Sequence, residues 1–248
     1  MKSRIHWDHS PEAVAERLAK GPQPVYIKDF VYGGIDGAVT TFAVVTGVAG
    51  AGFSSVVIIV LGLANILADG FSMAVSNYLG TKSDNQHVAN ERREELLEIE
   101  ANPEGEREEI RQIYAAKGFS GQQLEDVVSV ITADKNRWAD IMMQEEHGLQ
   151  LQDHDAFKAG LVTFFAFAVV GTLPLIPFLI NWWLEGIFAQ PFLWSSGITL
   201  VAFFAVGALK GRFVNHSWQR SGLETLIVGG VAALLAYGVG LMLSGIVN

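Results

Sequence analysis

Five runs of apolar residues, at 33–53, 54–79, 157–180, 192–209 and 223–247, constrain this chain more than any other feature. Each is close to the roughly 20 residues that a helix needs to cross a bilayer. A single soluble domain would suit a length of 248 residues, but not so much continuous apolar surface. The pattern predicts an all-α, polytopic membrane protein with five transmembrane helices. Its divisions are an amphipathic N-terminal segment (1–32), helices 1 and 2 (33–79), a Glu-rich helical insert (80–155) and helices 3–5 (156–248).

The insert holds most of the charge. From Asp84 to Asp155 stand eighteen acidic and seven basic side chains, and the net charge of the whole chain is -9. All seventeen Lys and Arg fall on one side of the predicted membrane. Lys2, Arg4, Arg17, Lys20 and Lys28 precede the first span, nine run from Lys82 to Lys158, and Lys210, Arg212 and Arg220 separate the last two. The positive-inside rule then places the N-terminus and the insert in the cytosol and the C-terminus outside. Trp182, Trp183 and Trp194 suit the outer interface and Trp218 the inner one. The first twenty-odd residues lack the apolar core of a signal peptide. Ser10-Pro11-Glu12 starts a short amphipathic helix suited to the membrane surface.

Nothing breaks the second helix between Leu79 and Ile99, so it is expected to continue as one long rod that stops at Asn102-Pro103. Three shorter helices follow. One is opened by Pro103-Glu104 and closed at Lys117-Gly118, one is capped by Ser120 and runs to about Thr132, and one runs from Asp134 to Glu146.

The chain has no cysteine, so a metal must be held by carboxylate, thioether, imidazole or carbonyl groups. Two constellations meet that need. Within the membrane, Asp36 lies near the cytoplasmic end of the first span, with Thr40 and Thr41 one turn on. Asn65, Asp69, Ser72, Met73, Ser76 and Asn77 form a polar stripe along the second. An ionised Asp at mid-bilayer costs about 2.5–3.5 kcal/mol, which marks such residues as functional. Oxygen donors beside a thioether make a path for partly dehydrated Fe2+ or Mn2+, and a buried carboxylate can exchange a proton for the metal. The alternative is a helix cap at Asp36 and a stripe that only packs helices.

In the insert, Glu91, Glu94, Glu95 and Glu98 recur at i, i+3, i+4 and i+7, and Glu106 and Glu109 at i, i+3. Met142 and Met143 precede Glu146 by a turn, with His147 adjacent. Together these offer oxygen ligands and a softer sulfur for a first-row divalent metal. Taken alone, such a face is more often a solvated one, whose acids pair with Arg92, Arg93, Arg107 and Arg111. His6, His9, His87 and His154 are expected to be surface residues. The glycines of the first span read as small-residue helix packing, not as a nucleotide loop. No hydrolase triad can be assembled.

The segments YGGIDGAVTTFAVVTGVAGAG, GLANILADGFSMAVSNYLGTKSD, ERREELLEIEANPEGEREEIRQIYAAKGFS and WADIMMQEEHGL follow in that order. Together they resemble the vacuolar iron transporter family over nearly the whole chain. The resemblance implies a homodimer of five-helix subunits, an ion path at the subunit interface and proton-coupled export of Fe2+ or Mn2+ from the cytosol. It implies translocation residues at Asp36 and Met73, and metal ligands at Glu95, Glu98, Glu106, Glu109, Met142 and Glu146. Thr40, Asn65, Asp69 and Asn77 complete the expected path. Many members carry Glu where this chain has Asn65, whereas Asp69 replaces a small residue, so the acid is displaced by one turn along the same face.

The expected partners are divalent metal ions, protons, membrane lipid and a second copy of the chain, with no resident cofactor, no nucleic acid and no enzymatic reaction. A bacterial cytoplasmic membrane is expected rather than a vacuolar one. A carboxylate-bridged di-iron enzyme would need Glu-x-x-His pairs, and no His here has Glu three positions before it. A metal-gated cation channel or a membrane metal sensor stands as the alternative to an antiporter.

Overall fold

The computed structural model describes residues 8–20, 25–184 and 186–247; Lys2, Arg4 and His6, named above, lie outside that set. Among the described residues the regular structure is helical throughout. The helices are α1 (Pro11–Lys20), α2 (Ile27–Gly50), α3 (Ser55–Ala101), α4 (Pro103–Ala116), α5 (Gly121–Thr132), α6 (Lys135–Glu145), α7 (Ala156–Thr172), α8 (Ile176–Trp183), α9 (Pro191–Phe213) and α10 (Trp218–Val247). A 3-10 turn (Leu173–Leu175) joins α7 to α8. Among the described residues five segments are long and apolar enough to cross a membrane: α2, α3, α7 continued through α8, α9 and α10. The chain is an integral membrane protein with the all-helical, five-span architecture expected of it.

Two spans begin earlier than hydropathy suggests: α2 at Ile27 and not Gly33, α10 at Trp218 and not Leu223. The added turns carry interfacial residues. The Lys28 ammonium lies 5.6 Å from the centre of the Tyr32 ring, and the Trp218 ring packs edge-on against Phe204. Helical hydrogen bonding continues where the apolar run stops, with amphipathic side chains lying along it.

The chain divides into two compact units, Tyr26–Lys82 with Asp155–Asn248 and Met1–Val25 with Ser83–His154; α3 contributes to both. In the first, α2 packs against α7, α9 and α10. Glycine brings α2 and α7 into backbone contact. A Cβ on Gly37 would stand 2.9 Å from the Phe167 Cα, and one on Gly171 would stand 2.9 Å from the Gly37 carbonyl oxygen. Small residues allow such approach in lipid, where van der Waals packing drives association. Backbone cannot rotate away from an added side chain, so Gly37→Val should cost on the order of 1–3 kcal/mol. We expect a lower melting temperature in detergent for Gly37→Val and none for Gly230→Ala, whose Cβ would meet nothing within 4 Å. Equal melting temperatures would contradict the close α2–α7 contact. At the break between α7 and α8, the Ser195 hydroxyl of α9 donates to the Pro174 carbonyl at 2.6 Å, satisfying an acceptor inside the bundle.

The second unit has its own apolar core, built on Ile99, Ile110, Val128, Ile131, Trp138 and Met142. Asn102 caps α4 by accepting from the Gly105 N–H at 3.3 Å, and Asp134 caps α6 by accepting from the Arg137 N–H at 2.8 Å. Ser120 occupies the cap position of α5, but its hydroxyl makes no capping bond. Gly121 enters that helix with φ +57, a left-handed conformation that favours glycine.

Candidate metal centre

Ile99 and Ile110 are buried in the same core, and each adjoins a glutamate of the cluster in sequence, Glu98 and Glu109. The helix margins flanking that apolar stripe therefore carry carboxylates toward one another. The break at Asn102-Pro103 lets α4 fold so that Glu106 meets Glu95 and Glu98 of α3. Ligand atoms of Glu95, Glu98 and Glu106 lie within 4.8 Å of one another, and so do those of Glu95, Glu146 and His147. Glu95 is only 1% exposed and Glu106 7%. Glu95 Oε1 and Glu106 Oε2 are buried with no hydrogen-bond partner among the described residues. An unpaired buried polar atom costs about 1–3 kcal/mol, so these oxygens call for a cation.

Three of the four arginines named above are engaged elsewhere. Arg92 pairs with Asp140 at 2.9 Å, Arg111 with Glu125 at 2.9 Å and also with Glu108, and Arg107 donates to Thr132 at 2.7 Å. Lys135 takes Glu100, and Lys117 takes Glu145. The carboxylates of the cluster are left facing one another. Burial, followed by repulsion from Glu109, Glu95, Glu98 and Glu146, pushes the Glu106 carboxyl up to about 7. Burial also raises Glu95, opposed in part by its bond to His147, and raises Glu109, which Glu146 repels as well.

These shifts have a sign. A carboxyl that holds its proton more tightly folded than unfolded destabilises the fold at pH above its folded value, and the penalty is relieved as pH falls through about 7 toward the ordinary Glu value of 4.5. Amide exchange along α4 of the metal-free protein, corrected for intrinsic rates, should therefore be slower at pH 6 than at pH 8. Glu106→Gln should flatten that difference. Protection that rises with pH, unaltered by the substitution, would contradict the account.

Three placements refine the expected set. Glu94 is exposed and joins neither triad, whereas Glu91 comes within 4.0 Å of His147 Nδ1. Met142, fully buried, belongs to the apolar core. His147 enters the cluster, although the sequence noted it only as a neighbour of Glu146. Of the other described histidines, His9 and His87 are exposed, His87 facing Glu91 at 3.5 Å, and His154 bonds Asn85 through its backbone.

In the membrane unit, Asp36 is half-buried and Thr40 donates to its main-chain oxygen at 2.8 Å. The Asn65 amide of α3 reaches the hydroxyls of Thr40 and Thr41 at 3.3 and 3.4 Å. Asp69, one turn later, is exposed and within electrostatic range of Asp36, and Met73 is half-buried a further turn on. A second polar layer was not anticipated. The Asn77 amide donates to Asp29 Oδ1 at 2.8 Å, to Thr163 Oγ1 at 2.7 Å and to the Ala159 carbonyl at 3.3 Å, tying α2, α3 and α7 together. Asp29 stands two turns before Asp36 on the same face of α2, a spacing that signals it once the helix is known to start at Ile27.

Residues 27–241 match the VIT family. A vacuolar iron transporter of Toxoplasma gondii is 36% identical over 230 residues, covering 90% of this chain and 76% of its own length. Vacuolar iron transporter 1 of Arabidopsis thaliana is 33% identical over 213 residues, covering 85% of this chain and 83% of its own. A vacuolar iron transporter of Plasmodium falciparum is 29% identical over 223 residues, with 88% and 82% covered.

Proposed function

Because this chain belongs to the VIT family, we propose that it transports iron across a membrane, capturing Fe2+ at the carboxylate cluster and passing it along the Asp36–Met73 region. The observation that carries this reading is the buried Glu95 carboxylate. It has an unpartnered oxygen and lies among Glu98, Glu106, Glu146 and His147, while Arg92 and Arg111 pair elsewhere. Oxygen-rich sites of this kind suit Mn2+ as well, which makes it a second substrate. Glu109 and Met142 complete the proposed capture site at its margin. Asp36, Thr40, Asn65, Asp69, Met73 and Asn77 form the proposed path.

The partition of Lys and Arg supports a cytosolic insert, and so export from the cytosol. Intramembrane Asp36 is the group through which a proton would be exchanged for metal. The relatives are named for the vacuole; for this chain the reading specifies only that the insert faces the cytosol. A homodimer is supported by the large exposed face of α3, which takes in Val60, Leu63 and Leu67 and extends round the helix to Asp69. A carboxylate facing lipid is costly, and a second copy laid on that face would enclose it along an ion path.

The test is flux into proteoliposomes. Fe2+ should enter vesicles with an acidic interior, Mn2+ should compete with it, and collapsing the proton gradient should stop uptake. Uptake that follows the metal gradient alone would favour the channel reading instead.

A further inference from the structure

We propose that His147 is a metal ligand that biases the cluster toward Fe2+ and Zn2+ over Mn2+; the proposal rests on the capture reading above. Two triads share Glu95. Glu95, Glu98 and Glu106 offer carboxylate oxygens alone, whereas Glu95, Glu146 and His147 add an imidazole nitrogen. The C-terminal turn of α6 sets the ring in place. The Glu146 and His147 N–H groups donate to the Met142 carbonyl at 2.9 and 3.3 Å, and the Leu149 N–H donates to the Met143 carbonyl at 2.8 Å. Gly148 closes the turn with φ +65, a conformation that suits glycine.

The two ring nitrogens face different carboxylates. Nε2 lies 3.3 Å from Glu95 Oε2 and 3.9 Å from Glu146 Oε2, and Nδ1 lies 4.0 Å from Glu91 Oε2. That division matches how ligating imidazoles are held, with one nitrogen on the metal and the other oriented by a carboxylate outside the ligand set. Glu91, 4.0 Å from Nδ1 and outside both triads, is placed to take the second role once a side-chain movement closes that gap. Carboxylate oxygens suit Mn2+, Mg2+ and Ca2+, whereas imidazole suits Fe2+ and Zn2+, so a nitrogen in the second triad separates metals that the first treats more alike.

The experiment is a competition titration of Fe2+, Zn2+ and Mn2+ on purified full-length protein under anaerobic conditions, comparing wild type with His147→Gln. Glutamine keeps a polar contact to Glu95 and removes the nitrogen donor. Fe2+ and Zn2+ should each bind at least about 10-fold more weakly to the variant, with Mn2+ changing less than about threefold. Equal losses for all three metals, or no loss for any, would overturn the role of His147. A wild-type protein that binds none of them would overturn the capture reading itself.

Discussion

Alanine at Glu95, Glu98, Glu106 and Glu109 together is expected to weaken Fe2+ binding by the purified full-length protein by at least about 100-fold, because affinity follows the number of charged ligands. The substitutions remove every carboxylate of the all-oxygen triad and the one shared with Glu146 and His147. They should leave the fold in place. Ile99, Ile110, Val128, Ile131 and Trp138, which hold the unit together, are untouched, and the lost groups repel one another. Calorimetric titration against wild type is the measurement, with helix content by circular dichroism as the control. Unchanged affinity in a folded variant would remove the cluster from the mechanism.

Asp36→Asn is expected to reduce Fe2+ transport about tenfold or more, since a divalent ion in a low-dielectric span would lose one of its few neutralising anions. The substitution is nearly isosteric. Thr40 bonds the main-chain oxygen of residue 36 and not its carboxylate, so the local helix geometry survives the change. Metal binding at the insert should be unaffected, because its ligands come from residues 95–147. A variant that binds metal normally but moves none would separate capture from translocation. Asp69 offers a second carboxylate within range of residue 36, so Asp36→Asn/Asp69→Asn should lose the residual flux.

Local signals were readable where one helix carried all the information. Apolar runs of spanning length marked five helices, and Asn102, Pro103 and Asp134 marked helix starts through chemistry within three residues of each. Period and spacing brought Glu95, Glu98 and Glu106 forward, since the i, i+3 relation holds in any helix. They could not say that Glu94, equally well spaced from Glu91 and Glu98, joins neither triad. That depends on where α4 and α6 pack against α3. The same limit hid Asp29, whose partner Asn77 is 48 residues distant, and His147, whose partner Glu95 is 52 residues distant. Spans were drawn too short at Ile27 and Trp218 because hydropathy ends where snorkelling and ring-stacked side chains begin.

The most direct measurement is the time course of Fe2+ entry into proteoliposomes with an acidic interior, wild type beside Asp36→Asn at equal protein content. Gradient-dependent uptake by wild type that is lost in the variant is the predicted result. Equal uptake by the two proteins, or wild-type uptake no greater than that of protein-free vesicles, would contradict it.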